Sequence, residues 1–150
     1  MRTPAHWLFC LGLSMAALAA PLPYDEAADP HADLRHALQE AQREHKNVLI
    51  IFGANWCEDC RDLDSVMHGS SAQLVQSRFV VVKIDVGNFN RNLDLVRRYG
   101  DPIRGGIPAA AVVSSSDQLL YATKRGELAN VRRMGADGVY EFLSRVAPGS

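Results

Sequence analysis

The stretch VLIIFGANWCEDC, Val48 to Cys60, passes from a run of apolar, mostly branched residues through a glycine into a tryptophan and two cysteines three positions apart. A continuous apolar run of this length is the pattern of a strand covered on both faces. Gly53 to Trp56 reads as a turn, and the cysteines open a helix that continues through Leu63 and Val66 to about His68. Reactive side chains at such a strand-to-helix junction lie at the carboxyl edge of a sheet, where α/β proteins place their chemistry.

Upstream, Asp29-Pro30 is a helix start, with Asp29 as N-cap and Pro30 at the first helical position. Leu34, Ala37, Leu38 and Ala41 follow at helical spacing to about His45. Residues 20–29, which include the acidic Tyr24 to Asp29, read as a flexible lead. Downstream, Ser70 or Ser71 caps a short helix through Leu74 and Val75, and Phe79 to Val86 is a second strand. Asn88 to Asn92 is a polar connection, and Leu93 to Tyr99 returns to helical spacing. Gly100 to Pro108 concentrates glycine and proline and reads as a shaped loop. Ala109 to Val113 and Leu119 to Thr123 are strands joined through Ser114 to Asp117, and Gly135 to Gly138 leads into a last helix, Val139 to Val146. This order predicts an α/β domain over residues 30–147 with a tail at 148–150. Its central sheet is mixed, parallel at the front and antiparallel at the late hairpin, with helices on both faces.

The chain has 150 residues, 47% apolar and 22% charged, with a formal charge of −1. That is one domain with a real core, and the absence of a Lys/Arg cluster argues against a nucleic-acid partner. Met1-Arg2 followed by the apolar run Trp7 to Leu18 and the small-x-small Ala17-Leu18-Ala19 has the form of a cleaved secretory signal over residues 1–19. The run falls short of the roughly 20 apolar residues of a membrane-spanning helix, so no stable membrane insertion is expected after cleavage. Cleavage removes Cys10 and leaves Cys57 and Cys60 as the two cysteines, in an oxidising compartment, periplasmic or extracellular.

Three uses of the pair compete. A closed zinc site needs four ligands, and His31, His36, His45 and His68 show no matching spacing, though His68 leaves a metal- or copper-handling module as an alternative. A structural staple closing about four residues removes only ~2 kcal/mol of unfolded-state entropy and constrains little. Redox work fits better. Residues i and i+3 of a first helical turn meet disulfide geometry. Unpaired N–H groups at the helix end also favour a Cys57 thiolate.

NWCEDC after VLIIF, and GGIP (Gly105 to Pro108) before the strand AAAVV, resemble the two signatures of the thioredoxin superfamily, over roughly Asp33 to Val146. The resemblance implies a thioredoxin-like three-layer fold. It also implies a cis Ile107-Pro108 peptide facing the cysteines and presenting backbone to an extended substrate. Cys57 would be the attacking cysteine and Cys60 the resolving one. Ile51 stands where many members carry a buried aspartate, and Val81 where a lysine partners it. The group that takes the Cys60 proton is therefore open. The signal and the long connection from Asp85 to Pro108 are similar to secreted or periplasmic members, the carboxyl-terminal domain of the transmembrane thiol-disulfide reductase among them.

The expected function is thiol–disulfide exchange that reduces protein disulfides, with net oxidation or isomerisation of secreted proteins as the alternative direction. No cofactor is called for, and a membrane electron-donor protein is the implied source of electrons. Trp56 is expected to be partly exposed and to help dock substrate. Glu58 and Asp59 either point into water from a helix's first turn or oppose the Cys57 thiolate and make the pair more reducing. Arg91, Arg97, Arg98 and Arg104, near or in the long connection, read mostly as solvated surface charge.

Overall fold

Val48 to Phe52 are buried along their whole length, as a strand covered on both faces requires. They form β1 (Asn47–Gly53), the second of four strands in the order β2-β1-β3-β4. The computed structural model describes residues 21–147, so the expected signal segment, Cys10 and the 148–150 tail lie outside the described residues. β2 (Phe79–Asp85) runs parallel to β1, β3 (Ala109–Val113) antiparallel to it, and β4 (Leu119–Ala122) closes the hairpin with a register shift at Val112/Val113. The sheet is mixed and carries helices on both faces, the three-layer architecture expected from the sequence.

The helices are α1 (Pro30–Glu44), α2 (Glu58–His68), α3 (Ala72–Arg78), α4 (Leu93–Arg98) and α5 (Val131–Val146). α1 packs on β1 and β2, while α2, α3 and α5 pack against one another. Asp29 caps α1, accepting hydrogen bonds from the His31 and Ala32 amides at 3.0 and 3.2 Å. Ser71 occupies the N-cap position of α3, but its buried hydroxyl makes no capping bond. The polar connection and α4 are tied in by ion pairs. Arg91 bonds Asp85 at 2.7 Å, Arg98 pairs with Asp117, and Arg104 pairs with Asp101 at 3.0 Å.

Three segments depart from the sequence expectation. The Gly100–Pro108 loop contains a short 3-10 helix, Pro102–Gly105. Buried Thr123 holds it to the sheet, donating to the Pro102 carbonyl at 3.2 Å and accepting from the Ala110 amide at 3.1 Å. α5 begins at Val131 rather than Val139, because Gly135, at φ 69, interrupts the helix without ending it. The described part of the lead, residues 21–29, has no helix or strand, yet it is not free. Tyr24 is 4% exposed, and its amide and carbonyl both bond the Asn55 side chain, at 3.0 and 2.8 Å. The Arg91 guanidinium then bonds the Glu26 carbonyl at 2.6 Å.

Asp29→Ala removes a carboxylate that satisfies two amides at the start of α1. It is expected to lower the free energy of unfolding by about 1 kcal/mol in a urea titration with unchanged slope. A loss below a few tenths of a kcal/mol would show that Pro30 alone sets this helix end.

Candidate active site

The sheet register brings two distant segments together. Phe52, one residue before the end of β1, lies opposite Ala109, which follows Pro108 directly. The start of α2 and the Ile107-Pro108 peptide therefore share one end of the sheet. That peptide is cis. The Ile107 carbonyl oxygen lies 3.7 Å from the Cys57 sulfur.

Cys57 and Cys60 form a disulfide across a Cα–Cα distance of 5.2 Å, inside the usual range for such bonds. Cys57 is the N-cap of α2, and its sulfur accepts a hydrogen bond from the Cys60 amide at 3.2 Å. An orphan N–H and the positive end of the helix macrodipole thus meet at this sulfur, and both favour negative charge there. Both cysteines are largely covered, Cys57 at 6% exposed and Cys60 at 1%, so Cys57 is the less covered of the two. The pair thus sets a less covered sulfur at a helix N-cap beside a more shielded partner three positions on.

Trp56 is 54% exposed, in line with partial exposure beside Cys57. Its indole N–H donates to the Gly87 carbonyl at 3.0 Å, and its ring meets Phe89 at 6.2 Å between centroids. Phe89 is itself exposed and at φ 61, an uncommon conformation for a bulky residue. Its place in a polar connection gave no sequence signal that it would join the site.

Glu58 and Asp59 do not simply point into water. The Arg132 side chain bonds Glu58 at 2.7 Å and lies 3.5 Å from Asp59, and the Arg132 amide donates to Asp59 at 3.0 Å. Asn130, the N-cap of α5, makes no side-chain capping bond, so Asp59 serves that helix end from across the fold. The negative charge of both acids is therefore partly balanced by Arg132. The bond spans 73 residues, and no local pattern announces it.

Beneath the pair, Ile51 is 2% exposed and lies opposite Lys83 in β2, which pairs with Asp64 on α2, one turn beyond Cys60. Val81, read as the replaced lysine, lies opposite Leu49. A Cβ at Gly53 would stand 2.1 Å from the Tyr24 hydroxyl and 2.9 Å from the Cys60 sulfur, so only glycine lets these two side chains converge over β1. Tyr24 was the residue hidden in the lead. A lone aromatic among acidic residues and alanines is the one signal that could have found it.

The sequence profile of the family described as Thioredoxin-like matches residues 29–115. Among solved structures, a disulphide isomerase from Xylella fastidiosa Temecula1 is similar at 50% identity and a TM-score of 0.83, covering 87% of this chain and 100% of that one. The oxidised DsbD C-terminal domain of Neisseria meningitidis matches at 23% identity and a TM-score of 0.52, over 79% and 96% of the two chains, a likeness of fold. Thioredoxin-1 of Drosophila yakuba is 39% identical over 54 residues, 36% of this chain and about half (47%) of that protein's length.

Gly53→Ala is expected to lower the stability of the oxidised protein by about 1–3 kcal/mol, since the added methyl must displace the Tyr24 ring or the Cys60 sulfur. Urea unfolding under non-reducing conditions reads the effect. A wild-type midpoint would mean that the Tyr24 ring is not seated over β1.

Proposed function

Because this chain belongs to the thioredoxin-like family of disulfide oxidoreductases, we propose that it reduces disulfides of protein clients in an extracytoplasmic compartment. The observation that carries this reading is the Cys57 sulfur at the N-cap of α2, 3.2 Å from the Cys60 amide and 3.7 Å from the Ile107 carbonyl. A helix end lowers a thiol's pKa, and at pH 7 a fall from about 8.5 to about 7 raises the thiolate fraction from ~3% to about half.

The Cys57 thiolate attacks one sulfur of a client disulfide, forming a mixed disulfide and releasing the first client thiolate. Cys60, as thiolate, then attacks the Cys57 sulfur. This breaks the mixed disulfide, releases the second client thiolate and leaves the Cys57–Cys60 disulfide. Two electrons pass to the client, and the two cysteine protons end on its two thiols. Return to the dithiol requires an external dithiol, for which a membrane electron-donor protein is the fitting class outside the cytoplasm. Trp56, with Ile107 and Pro108, is the docking surface in this scheme. The exposed indole stands next to Cys57 in the chain, and the loop offers backbone to an extended client segment. Among the described residues, no helix is long and apolar enough to cross a membrane.

A second reading, isomerisation, is favoured by the Xylella fastidiosa protein, which is called a disulphide isomerase. Both start with the same attack. They part at the mixed disulfide: reduction follows when Cys60 resolves it first, isomerisation when a client thiol does.

Cys60→Ser is expected to accumulate mixed disulfides with clients, seen as thiol-sensitive bands by mass spectrometry, and Cys57→Ser to accumulate none. In parallel, insulin reduction should exceed the rate of refolding scrambled ribonuclease; the reverse ranking would assign the protein to isomerisation.

Glu58 and Asp59 are proposed to tune the potential. Negative charge near Cys57 disfavours its thiolate, raises its pKa and makes the dithiol a better donor. Glu58→Gln with Asp59→Asn should therefore raise the reduction potential against glutathione, whereas Arg132→Ala, which unmasks both acids, should lower it. Shifts of the same sign in the two variants would rule out this electrostatic origin.

A further inference from the structure

The Tyr24 ring is buried, its backbone is fixed at both ends by Asn55, and its hydroxyl lies over Gly53. A single point, the Cβ position of Gly53, is 2.1 Å from that hydroxyl and 2.9 Å from the Cys60 sulfur. The two atoms are thus no farther apart than the sum of those distances. Ile51 leaves no carboxylate in the strand beneath the pair. The groups facing the phenol are Asp64 of α2, paired with Lys83 of β2, and Asp85 of β2, paired with Arg91. Burial first, then the Asp64 and Asp85 carboxylates, push the phenol well above its ordinary pKa. It therefore stays protonated at every pH at which the cysteines titrate, and a protonated phenol offers a hydrogen bond.

We infer that Tyr24 is a positioning residue for the resolving cysteine, its hydroxyl donating a hydrogen bond to the Cys60 sulfur when that sulfur becomes a thiolate. This rests on the thiol–disulfide exchange proposed above and concerns its second step. The Cys60 proton passes through solvent to the departing client thiolate, and Tyr24 keeps its own proton throughout. A hydrogen bond to the charged form of a buried thiol lowers its pKa, where burial alone would raise it. The consequence is a choice of outcome. A faster Cys60 resolves the mixed disulfide before a client thiol can, so Tyr24 biases the protein toward reduction and away from isomerisation.

Tyr24→Phe keeps the ring and deletes the hydroxyl. The background for the titration is the full chain carrying Cys10→Ser and Cys57→Ser, where Cys60 is the one cysteine left. Adding Tyr24→Phe to it should move the thiolate absorbance titration up by about one unit. With both site cysteines present, resolution of a preformed mixed disulfide with a glutathione-tagged peptide should slow roughly threefold at pH 7, the lost thiolate fraction being partly offset by the greater nucleophilicity of the more basic thiolate. The pH profile of that step should move up by the same amount. Asn55→Ala, which loosens the Tyr24 backbone while keeping its hydroxyl, should shift both readouts in the same direction by less. A Cys60 titration unchanged in both variants, with resolution within twofold of wild type, overturns the role of Tyr24. If the wild-type protein reduces no disulfide at all, the reading of the pair as a reductase fails instead, and the Cys60 titration still decides whether the phenol acts on that sulfur.

Discussion

The hydrogen bond from the Cys60 amide to the Cys57 sulfur makes one atom serve two purposes. It caps α2, satisfying an amide that would otherwise be orphaned at a covered helix end, and in the proposed exchange it is the atom that attacks a disulfide. As a disulfide sulfur it is a weak acceptor; as a thiolate it would be a strong, charge-assisted one at the positive end of a helix. Reduction therefore strengthens the cap, and helix stability is coupled to redox state in the direction that favours the thiolate. In the proposed function, the other features of the site adjust how far that coupling goes.

The adjustments come from three other parts of the chain. Arg132 and the first turn of α5 hold Glu58 and Asp59, so the acids between the cysteines stabilise a helix end, and in the proposed function they also bear on the sulfur. The lead reaches the site through Asn55 and sets a phenol beside Cys60. The cis Ile107-Pro108 loop is positioned by the pairing of Ala109 with Phe52 and by Thr123, which ties the Pro102 carbonyl to β3. The strand beneath the pair contributes only apolar packing, and its five buried residues contribute on the order of 2 kcal/mol each. The polar groups around the cysteines thus come from α2, α5, β2 and the N-terminal lead, not from β1.

This division explains what was legible in the sequence. Local patterns carried the frame: Asp29-Pro30 marked the start of α1, VLIIF marked a doubly covered strand, and the placement of CEDC fixed the start of α2. The GGIP loop was legible through the family resemblance, because its cis bond has no local signature. Contacts between segments far apart in sequence were not legible. Nothing in Glu58-Asp59 points to Arg132, and nothing in the acidic lead says that Tyr24 is covered. Gly135 illustrates a correct signal with an incomplete consequence: its positive φ does break the helix, but Val131 to Met134 form a turn before it that belongs to α5 and receives Asp59. Lys83 and Asp64 show the converse, since the charged pair missing from its family positions reappears between β2 and α2.

The account turns on a Cys57 thiolate favoured by the helix end. Its most direct test is the pH dependence of iodoacetamide alkylation of the reduced protein, with the modified cysteine located by mass spectrometry. The account predicts that Cys57 is modified first and titrates below the ordinary cysteine value of about 8.5. Preferential modification of Cys60, or a Cys57 titration at or above that value, would contradict it.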